Sequence, residues 1–253
     1  MASLLSAPAL EHPPAAPGRE LGAPAGTAAT REARAVLAAR GWLATCPCDF
    51  TAAVLEASEM VVVSAEATLL QWGEAGRGIC GLAAGGFFVN VAGPDGVLHK
   101  MHLGTPGLWL GETALLGETA RRIQVTAAVP STVAWLAADR IDALARRHPD
   151  TWRHLGRLAA SNTTRARASV SCLLTRDSAA RVAQKLLQLD PGDGPCVSLT
   201  QTELGEMVGL SRNTLNRVLA ALERAGALHV GYARLQVTDR AKLEHVARCG
   251  GGD

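Results

Sequence analysis

Residues 150–174 run for about 25 positions without a proline and with a single glycine, Gly156. Apolar or small residues recur along them at Trp152, Leu155, Leu158 and Ala159, Asn162, Ala166, Ser169 and Val170, and Leu173. That is helical spacing, and a long helix with one thin apolar stripe commonly pairs with a copy of itself. Between Arg140 and Arg176 there are eight arginines against two aspartates, Asp142 and Asp150. The whole chain carries a net charge of only +2, so any basic signal for nucleic acid is local.

Upstream of this helix the texture is different. From Met60 to Leu136 short apolar runs are punctuated by glycine: "MVVV", "TLLQW", "ICGLAAGGFFVNVAGPDGVLHKMHL" and "IQVTAAVPSTVAWLA". They read as strands, and "AGPDG" (Ala92 to Gly96) is a hairpin signal, because Asp-Gly supplies left-handed turn conformations. Many short strands with Gly-rich turns predict a β-sandwich or roll. Before them, Val36 to Glu56 has a helical pattern with Trp42, Leu43 and Phe50 as core candidates. Residues 1–35 are rich in Ala, Pro and Gly and are expected to form a disordered tail.

Several classes are excluded by pattern. No apolar run approaches the roughly 18 residues of a membrane span, and no basic segment precedes an apolar core as in a secretory signal. The expectation is a cytoplasmic protein with no membrane partner. Six cysteines are scattered, and the one close pair, Cys46 and Cys48 in "CPC", lacks the spacing of zinc, redox or iron–sulfur sites. No Walker loop, G-x-S-x-G or metal-spaced His/Glu motif is present, and "WGEAGRG" lacks the Lys-Ser/Thr of a phosphate loop. An enzyme with an appended DNA-binding segment is thus the disfavoured class.

Downstream, "DRIDALARRHPD" predicts a short helix ending near Pro149, which precedes the long one. Asp177 is placed to cap "SAARVAQKLLQL", with Pro191-Gly192 as its end. Thr200 and Glu203 have capping-box spacing, so a helix starts at Gln201 and buries Leu204, Met207 and Val208. Gly209-Leu210 makes a turn, and Ser211 caps a second helix with Leu215, Val218, Leu219 and Leu222 at i, i+3, i+4 and i+7. Arg212, Asn213, Asn216 and Arg217 fall away from that stripe, near the helix N-terminus, where a helix-turn-helix presents side chains to a major groove. Arginine can fork two hydrogen bonds onto guanine, and asparagine can pair with adenine. The strands "ALHV" and "ARLQV", around Gly231-Tyr232, would form a wing.

"LTQTELGEMVGLSRNTLNRVLAALERAGALHV" resembles the winged helix-turn-helix of the Crp/Fnr transcription regulators. The upstream order matches too: glycine-punctuated roll, "GETALLG", short helix, long helix, Asp-capped helix, over about Val36 to Leu243. The resemblance implies an α+β protein with a double-stranded β-helix (jelly-roll) sensor domain over 36–148, a dimerisation helix over 149–176 and a winged helix-turn-helix over 177–253. It implies a homodimeric regulator that binds a pseudo-palindromic double-stranded DNA operator, contacts RNA polymerase and is switched by a small-molecule effector in or near the roll. On that pattern Thr200, Gln201, Ser211, Arg212, Asn213, Thr214, Asn216 and Arg217 form the DNA-binding set. Asn213 stands where the best-known members have Glu, and Gln201 where one has a phosphate-contacting Arg, so the half-site is expected to depart from the standard word.

The effector is less constrained. Cyclic-nucleotide-binding members use a Gly-Glu pair and a downstream Arg, a carboxylate for the ribose hydroxyl and a guanidinium for the cyclic phosphate. Gly111 and Glu112 match, and Arg122 has the family spacing of ten, but Ile123 and Gln124 replace smaller residues. On the long helix Ala166 and Arg167 replace the adenine-contacting pair. Some members of the family instead hold haem to sense CO or NO. His99, His102 and Cys80 are the haem-ligand candidates, with Met101 beside them and His148 and His154 near the start of the long helix. A cyclic nucleotide and haem are therefore the two cofactor classes under consideration, with an effector-independent regulator as the remaining alternative.

Overall fold

The computed structural model describes residues 22–189, 199–231 and 234–250. In chain order these form β1 (Ala23–Pro24), α1 (Thr27–Ala39), α2 (Cys48–Ala57), β2 (Glu59–Val63), β3 (Thr68–Leu70), β4 (Gly78–Ala84), β5 (Phe87–Ala92) and β6 (Leu98–Gly104). Then come β7 (Trp109–Leu110), α3 (Glu112–Leu116), β8 (Gln124–Ala127), β9 (Ser131–Ala137), α4 (Ala138–Arg147), α5 (Thr151–Leu174) and α6 (Ser178–Leu189). The chain ends with α7 (Gln201–Val208), α8 (Arg212–Arg224), β10 (Leu228–Gly231), β11 (Arg234–Val237) and α9 (Arg240–Cys249). Two compact units result. One holds the residues up to His99 with Pro106–Leu155, the other Lys100–Thr105 with the residues from Gly156 onward.

In the first unit the strands divide between two sheets, ordered β1-β2-β9-β4-β7 and β3-β8-β5-β6. Successive strands from β2 to β9 alternate between the sheets, apart from the β5–β6 hairpin, so the chain winds as a roll rather than a meander. Strand β4 is buried at every position but Ala84, because β9 and β7 flank it and its glycines and alanines leave room on both faces. A Cβ at Gly81 would overlap the indole of Trp109, which is itself fully buried. The "AGPDG" turn closes as expected, with the Gly96 N–H donating to Gly93 O at 3.0 Å and Gly93 N–H to Val97 O at 2.8 Å. Only Gly96, at φ +78°, takes the left-handed conformation there; Asp95 instead accepts from Val97 N–H at 3.1 Å.

Two expectations for the N-terminal region change. The helical pattern expected over Val36 to Glu56 resolves into two helices, α1 and α2, parted where Gly41 has φ +65° and Pro47 stands just before α2. Proline cannot sit inside a helix without losing a backbone bond. The expected disordered tail of residues 1–35 is also too long. Ala23 and Pro24 pair with Val62 and Val61, and α1 begins at Thr27 and buries Ala33 and Leu37. Alanine-rich composition suggested a tail, yet alanine is the best helix former, and one buried stripe is enough to fix the helix. Residues 1–21 lie outside the described residues.

Within the first unit, around residues 151–155, aromatic groups interlock. Trp42 meets Phe50 and Trp109 edge-on at 6.1 and 5.7 Å, and Phe50 stacks on His154 at 4.4 Å. Trp42 Nε1 donates to the His154 carbonyl at 2.9 Å, so both ring and backbone of the first turn of α5 are held.

In the second unit Asp177 Oδ1 accepts from Ala180 N–H at 2.7 Å, which is the cap anticipated for α6. The expected stop at Pro191-Gly192 lies outside the described residues. Helix α9 was not anticipated: Asp239 caps it by accepting from Lys242 N–H at 3.0 Å, Leu243 is fully buried, and Gln184 Nε2 of α6 donates to Ala247 O at 3.0 Å.

Gly81→Ala is expected to displace Trp109 and to lower stability by about 1–3 kcal/mol, the usual range for overpacking a filled core. Thermal unfolding of the variant checks this; an unchanged midpoint would show that the indole yields freely.

Candidate functional site

The helix-turn-helix is built from local rules. Thr200 Oγ1 accepts from Glu203 N–H at 3.2 Å, while Glu203 Oε2 accepts from Thr200 N–H at 2.9 Å, a reciprocal capping box at the start of α7. The helix ends at Gly209, whose φ of +62° suits glycine, and Leu210 N–H then bonds back to Gly205 O at 3.0 Å. Ser211 Oγ accepts from Thr214 N–H at 3.3 Å and so starts α8. Leu215, Leu219 and Leu222 are buried and Val218 is half-buried, so this stripe holds α8 down.

The opposite side carries the candidate readers. Arg212, Asn213, Asn216 and Arg217 are all exposed, as are Thr200 and Ser211, while Gln201 and Thr214 are half-buried. Two guanidinium groups and two amides thus stand on the first two turns of a helix whose free N–H groups already favour phosphate. Strands β10 and β11 pair antiparallel from Leu228↔Val237 to Gly231↔Arg234, which gives the body of the wing. Tyr232, named for its turn, lies outside the described residues.

In the roll, Gly111 takes φ +108° at the head of α3, and Glu112 is buried. The guanidinium found there belongs to Arg121, not to Arg122. Arg121 is buried and donates from Nη2 to Gly78 O at 2.8 Å and from Nη1 to Gly111 O at 3.4 Å; Arg122 is exposed. Arg121 follows Glu112 by nine residues, one fewer than the family spacing of ten that pointed to Arg122. A signal was present in the sequence: Arg121 shares the parity of Val125 and Ala127, the buried side of β8. Ile123 is half-buried. Ala166, half-buried, and Arg167, exposed, lie on the part of α5 that belongs to the second unit.

The haem-ligand candidates are not brought together. His99 is exposed, and His102, three positions further along the same strand, faces the other way. Cys80 is buried in β4, in the other sheet, and among the described residues no group of three or more His, Cys, Asp or Glu is placed to hold a metal ion. The His102 pKa is lowered to about 4, first because burial disfavours imidazolium and then because Lys185 and Arg165 add like charge. Such cationic surroundings also oppose a bound metal cation. His148 and His154 pack against Phe50, His148 edge-on at 6.0 Å, and serve the aromatic cluster. His99, His102 and Cys80 thus do not form a common ligand set. Cys46, Cys48, Cys80, Cys172 and Cys249 are free thiols, and Cys196 lies outside the described residues.

Two outcomes follow from these placements. Arg121→Met should lower stability by about 1–3 kcal/mol through the buried carbonyls it strands, whereas Arg122→Ala should leave the thermal midpoint within error; equal effects would refute the distinction. For His102, the unfolded chain takes up a proton near pH 6.5 and the folded chain only near 4. Acidification through that window therefore favours unfolding, by at most about 1.4 kcal/mol per unit of lowering. His102→Asn should flatten the fall in stability between pH 6.5 and 4, as read from melts across that range.

Residues 180–246 match the family described as Crp-like helix-turn-helix domain. The chain is 32% identical over 160 residues to the cyclic AMP receptor protein of Thermus thermophilus, covering 59% of this chain and 74% of that one. It is 30% identical over 166 residues to the cAMP-activated global transcriptional regulator CRP of Pasteurella multocida, covering 62% and 79%. Among solved structures, a CRP-family transcriptional regulator from Thermus thermophilus aligns with a TM-score of 0.59 at 27% identity, over 74% of this chain and 95% of that one. The FixK2 structure from Bradyrhizobium japonicum shares the fold, with a TM-score of 0.66 at 20% identity over 77% and 99%. With a capped helix-turn-helix, a two-sheet roll and relatives of this identity and coverage, the chain belongs to the Crp/Fnr family of DNA-binding transcription regulators.

Proposed function

We propose that the chain acts as a homodimer that reads a pseudo-palindromic operator by placing α8 of each copy in a major groove. The observation that carries this reading is the division of α8: Leu215, Leu219 and Leu222 are buried, while Arg212, Asn213, Asn216 and Arg217 are exposed on its first two turns. Arg212 and Arg217 suit guanine or phosphate, and Asn213 and Asn216 suit adenine. Thr200, Gln201, Ser211 and Thr214 lie at the starts of α7 and α8, where hydroxyls and amide N–H groups meet phosphates. The half-site is richer in adenine contacts than a glutamate at position 213 would allow, since Asn213 both donates and accepts while a carboxylate only accepts.

Pairing of two copies falls to α5. Trp152, Val170 and Leu173 are 44%, 56% and 47% exposed on this helix, a cost in water that a second copy would remove. Trp152, Ala159, Ala166 and Leu173 repeat every seven residues, the period of a two-stranded seam. The functional division is a sensor segment over 36–148, extended back to α1, a dimer helix over 149–176 and a reader over 177–253, with RNA polymerase as the downstream partner.

The effector is assigned to the roll, at the Gly111–Glu112 peptide, where Arg121 supplies a guanidinium. A carboxylate and a guanidinium at one place suit a sugar hydroxyl and a phosphate, the chemistry of a cyclic nucleotide. Several relatives are named as cAMP-activated regulators, which supports the same class.

Arg217→Ala should weaken binding to the selected operator by about 10- to 100-fold, in line with the roughly 1–3 kcal/mol of one bidentate base contact. Duplexes selected from a random pool and titrated in a gel shift measure this. Unchanged sequence selectivity in the variant would remove α8 as the reading element.

A further inference from the structure

The loop between β3 and β4 is pinned against the segment that follows α3. Ala75 bridges Ala120 antiparallel, Gly73 N–H donates to Arg121 O at 3.0 Å, and Arg121 N–H donates to Glu74 O at 2.8 Å. A Cβ at Gly76 would fall 2.5 Å from the Ala114 carbonyl carbon, so α3 lies directly against the loop. These two segments line a cleft of about 510 Å³, together with Ala138 and Asp142 of α4 and Trp152 in the first turn of α5. All of the lining belongs to the first unit. The volume is in the range of sites that hold one small molecule. The glycine-rich run "WGEAGRG", which lacks the lysine of a phosphate loop, thus forms one wall of a different kind of site.

The lining is chemically one-sided. Glycine and alanine make up most of it, so little side chain enters the space. Its charged members are Glu118 and Asp142, both carboxylates and both exposed. Eight arginines lie between Arg140 and Arg176, yet none lines the cleft, which takes one of the two aspartates of that stretch instead. Among the described residues neither carboxylate is neutralised by an ion pair. Trp152 adds an indole that is 44% exposed, and an indole face is the best aromatic partner for a cation. Glu118 stands at φ +49°, where glycine costs less. The backbone therefore carries local strain at a residue that brings a carboxylate to the cleft.

We propose that this cleft binds a small aliphatic diamine, its ammonium groups on Glu118 and Asp142 and its methylenes against the Trp152 indole and the alanine wall. The charge of the lining repels a phosphate, so the site is distinct in chemistry from the Gly111–Glu112 peptide, where Arg121 stands. A bare metal ion fits poorly as well. Among the described residues no group of three His, Cys, Asp or Glu converges to hold one, and an ion makes no use of the apolar wall. A diamine uses both parts: two charge-assisted hydrogen bonds fix its ends, and burial of its methylenes adds the apolar contribution.

Isothermal titration of full-length protein with 1,4-diaminobutane tests the assignment, in a buffer free of other amines. The parent should bind it at least about 10-fold more tightly than 1-aminobutane, which can satisfy only one carboxylate. Trp152 also takes a position in the proposed dimer seam, so the variants leave it in place. Glu118→Gln/Asp142→Asn keeps the shape of the cleft and removes its charge, and should weaken diamine binding at least about 10-fold. Glu118→Gly removes one carboxylate while relaxing the backbone, so its loss of affinity cannot come from misfolding of a strained turn. No heat of binding with the parent, or undiminished binding by either variant, overturns the proposal. Magnesium chloride at a concentration equal to that of the diamine should leave its binding unchanged; displacement would show a response to charge alone and overturn the diamine assignment.

Discussion

One polar stripe on α6 ties the second unit together. Arg181, Gln184, Lys185 and Gln188 follow at i, i+3, i+4 and i+7, and each donates to backbone or side-chain oxygen of a different segment. Arg181 gives Nε and Nη2 to Thr175 O at 2.9 and 2.7 Å and Nη1 to Val208 O at 3.1 Å. It therefore caps the last turn of α7, next to the Gly209 turn, with the same side chain that fixes the exit from α5. Gln184 holds α9 through Ala247 O, Lys185 holds Met101 and Ser169, and Gln188 donates to Ala168 O at 3.1 Å. Val182, Ala183, Leu186 and Leu189 are buried as well. A helix with both kinds of stripe leaves little freedom of rotation or slide, because either movement strands several carbonyls at once.

The position of α8 inherits this constraint. Its leucine stripe rests in a hydrophobic core, and hydrophobic burial alone is non-directional. Directional bonds at the end of α7 settle where the Gly209-Leu210 turn emits the next helix. Arg212, Asn213, Asn216 and Arg217 can act as readers only if that helix arrives at a set angle, since base-edge contacts demand two hydrogen bonds in a plane. In DNA-binding proteins affinity comes largely from charge, and selectivity from base contacts that need well-placed side chains.

The parts legible in the sequence were those set by near neighbours. The Thr200–Glu203 capping box, the Ser211 and Asp177 caps, the "AGPDG" hairpin and the leucine spacing of α8 each depend on residues within about one or two turns. Other features needed partners far along the chain. The α6 stripe looks like a solvated face until Thr175, Val208, Ala247 and Met101 are brought to it. Arg121 and Arg122 differ by one position, and the choice turns on which of them is buried against Gly78 and Gly111, which motif spacing could not supply. Helix α1 was hidden by composition, because the same alanines serve a tail or a helix, and only burial of Ala33 and Leu37 decides between them. His148 and His154 invited a ligand role, yet Phe50, brought in by α2, makes them packing groups.

Lys185 marks the point where stability and specificity part. An ammonium with no exposure and two neutral acceptors is a poor source of stability, and its lowered pKa records that cost. A methionine of similar length would fill the space without the desolvation. What the methionine could not do is distinguish one arrangement of α5, α6 and β6 from its neighbours, since apolar contact tolerates sliding that a bond to Met101 O and Ser169 Oγ does not. Burial also raises the pKa of the neighbouring Cys172 thiol. In any regulator an effector or a duplex can shift a two-state balance by no more than its own difference in affinity for the two states.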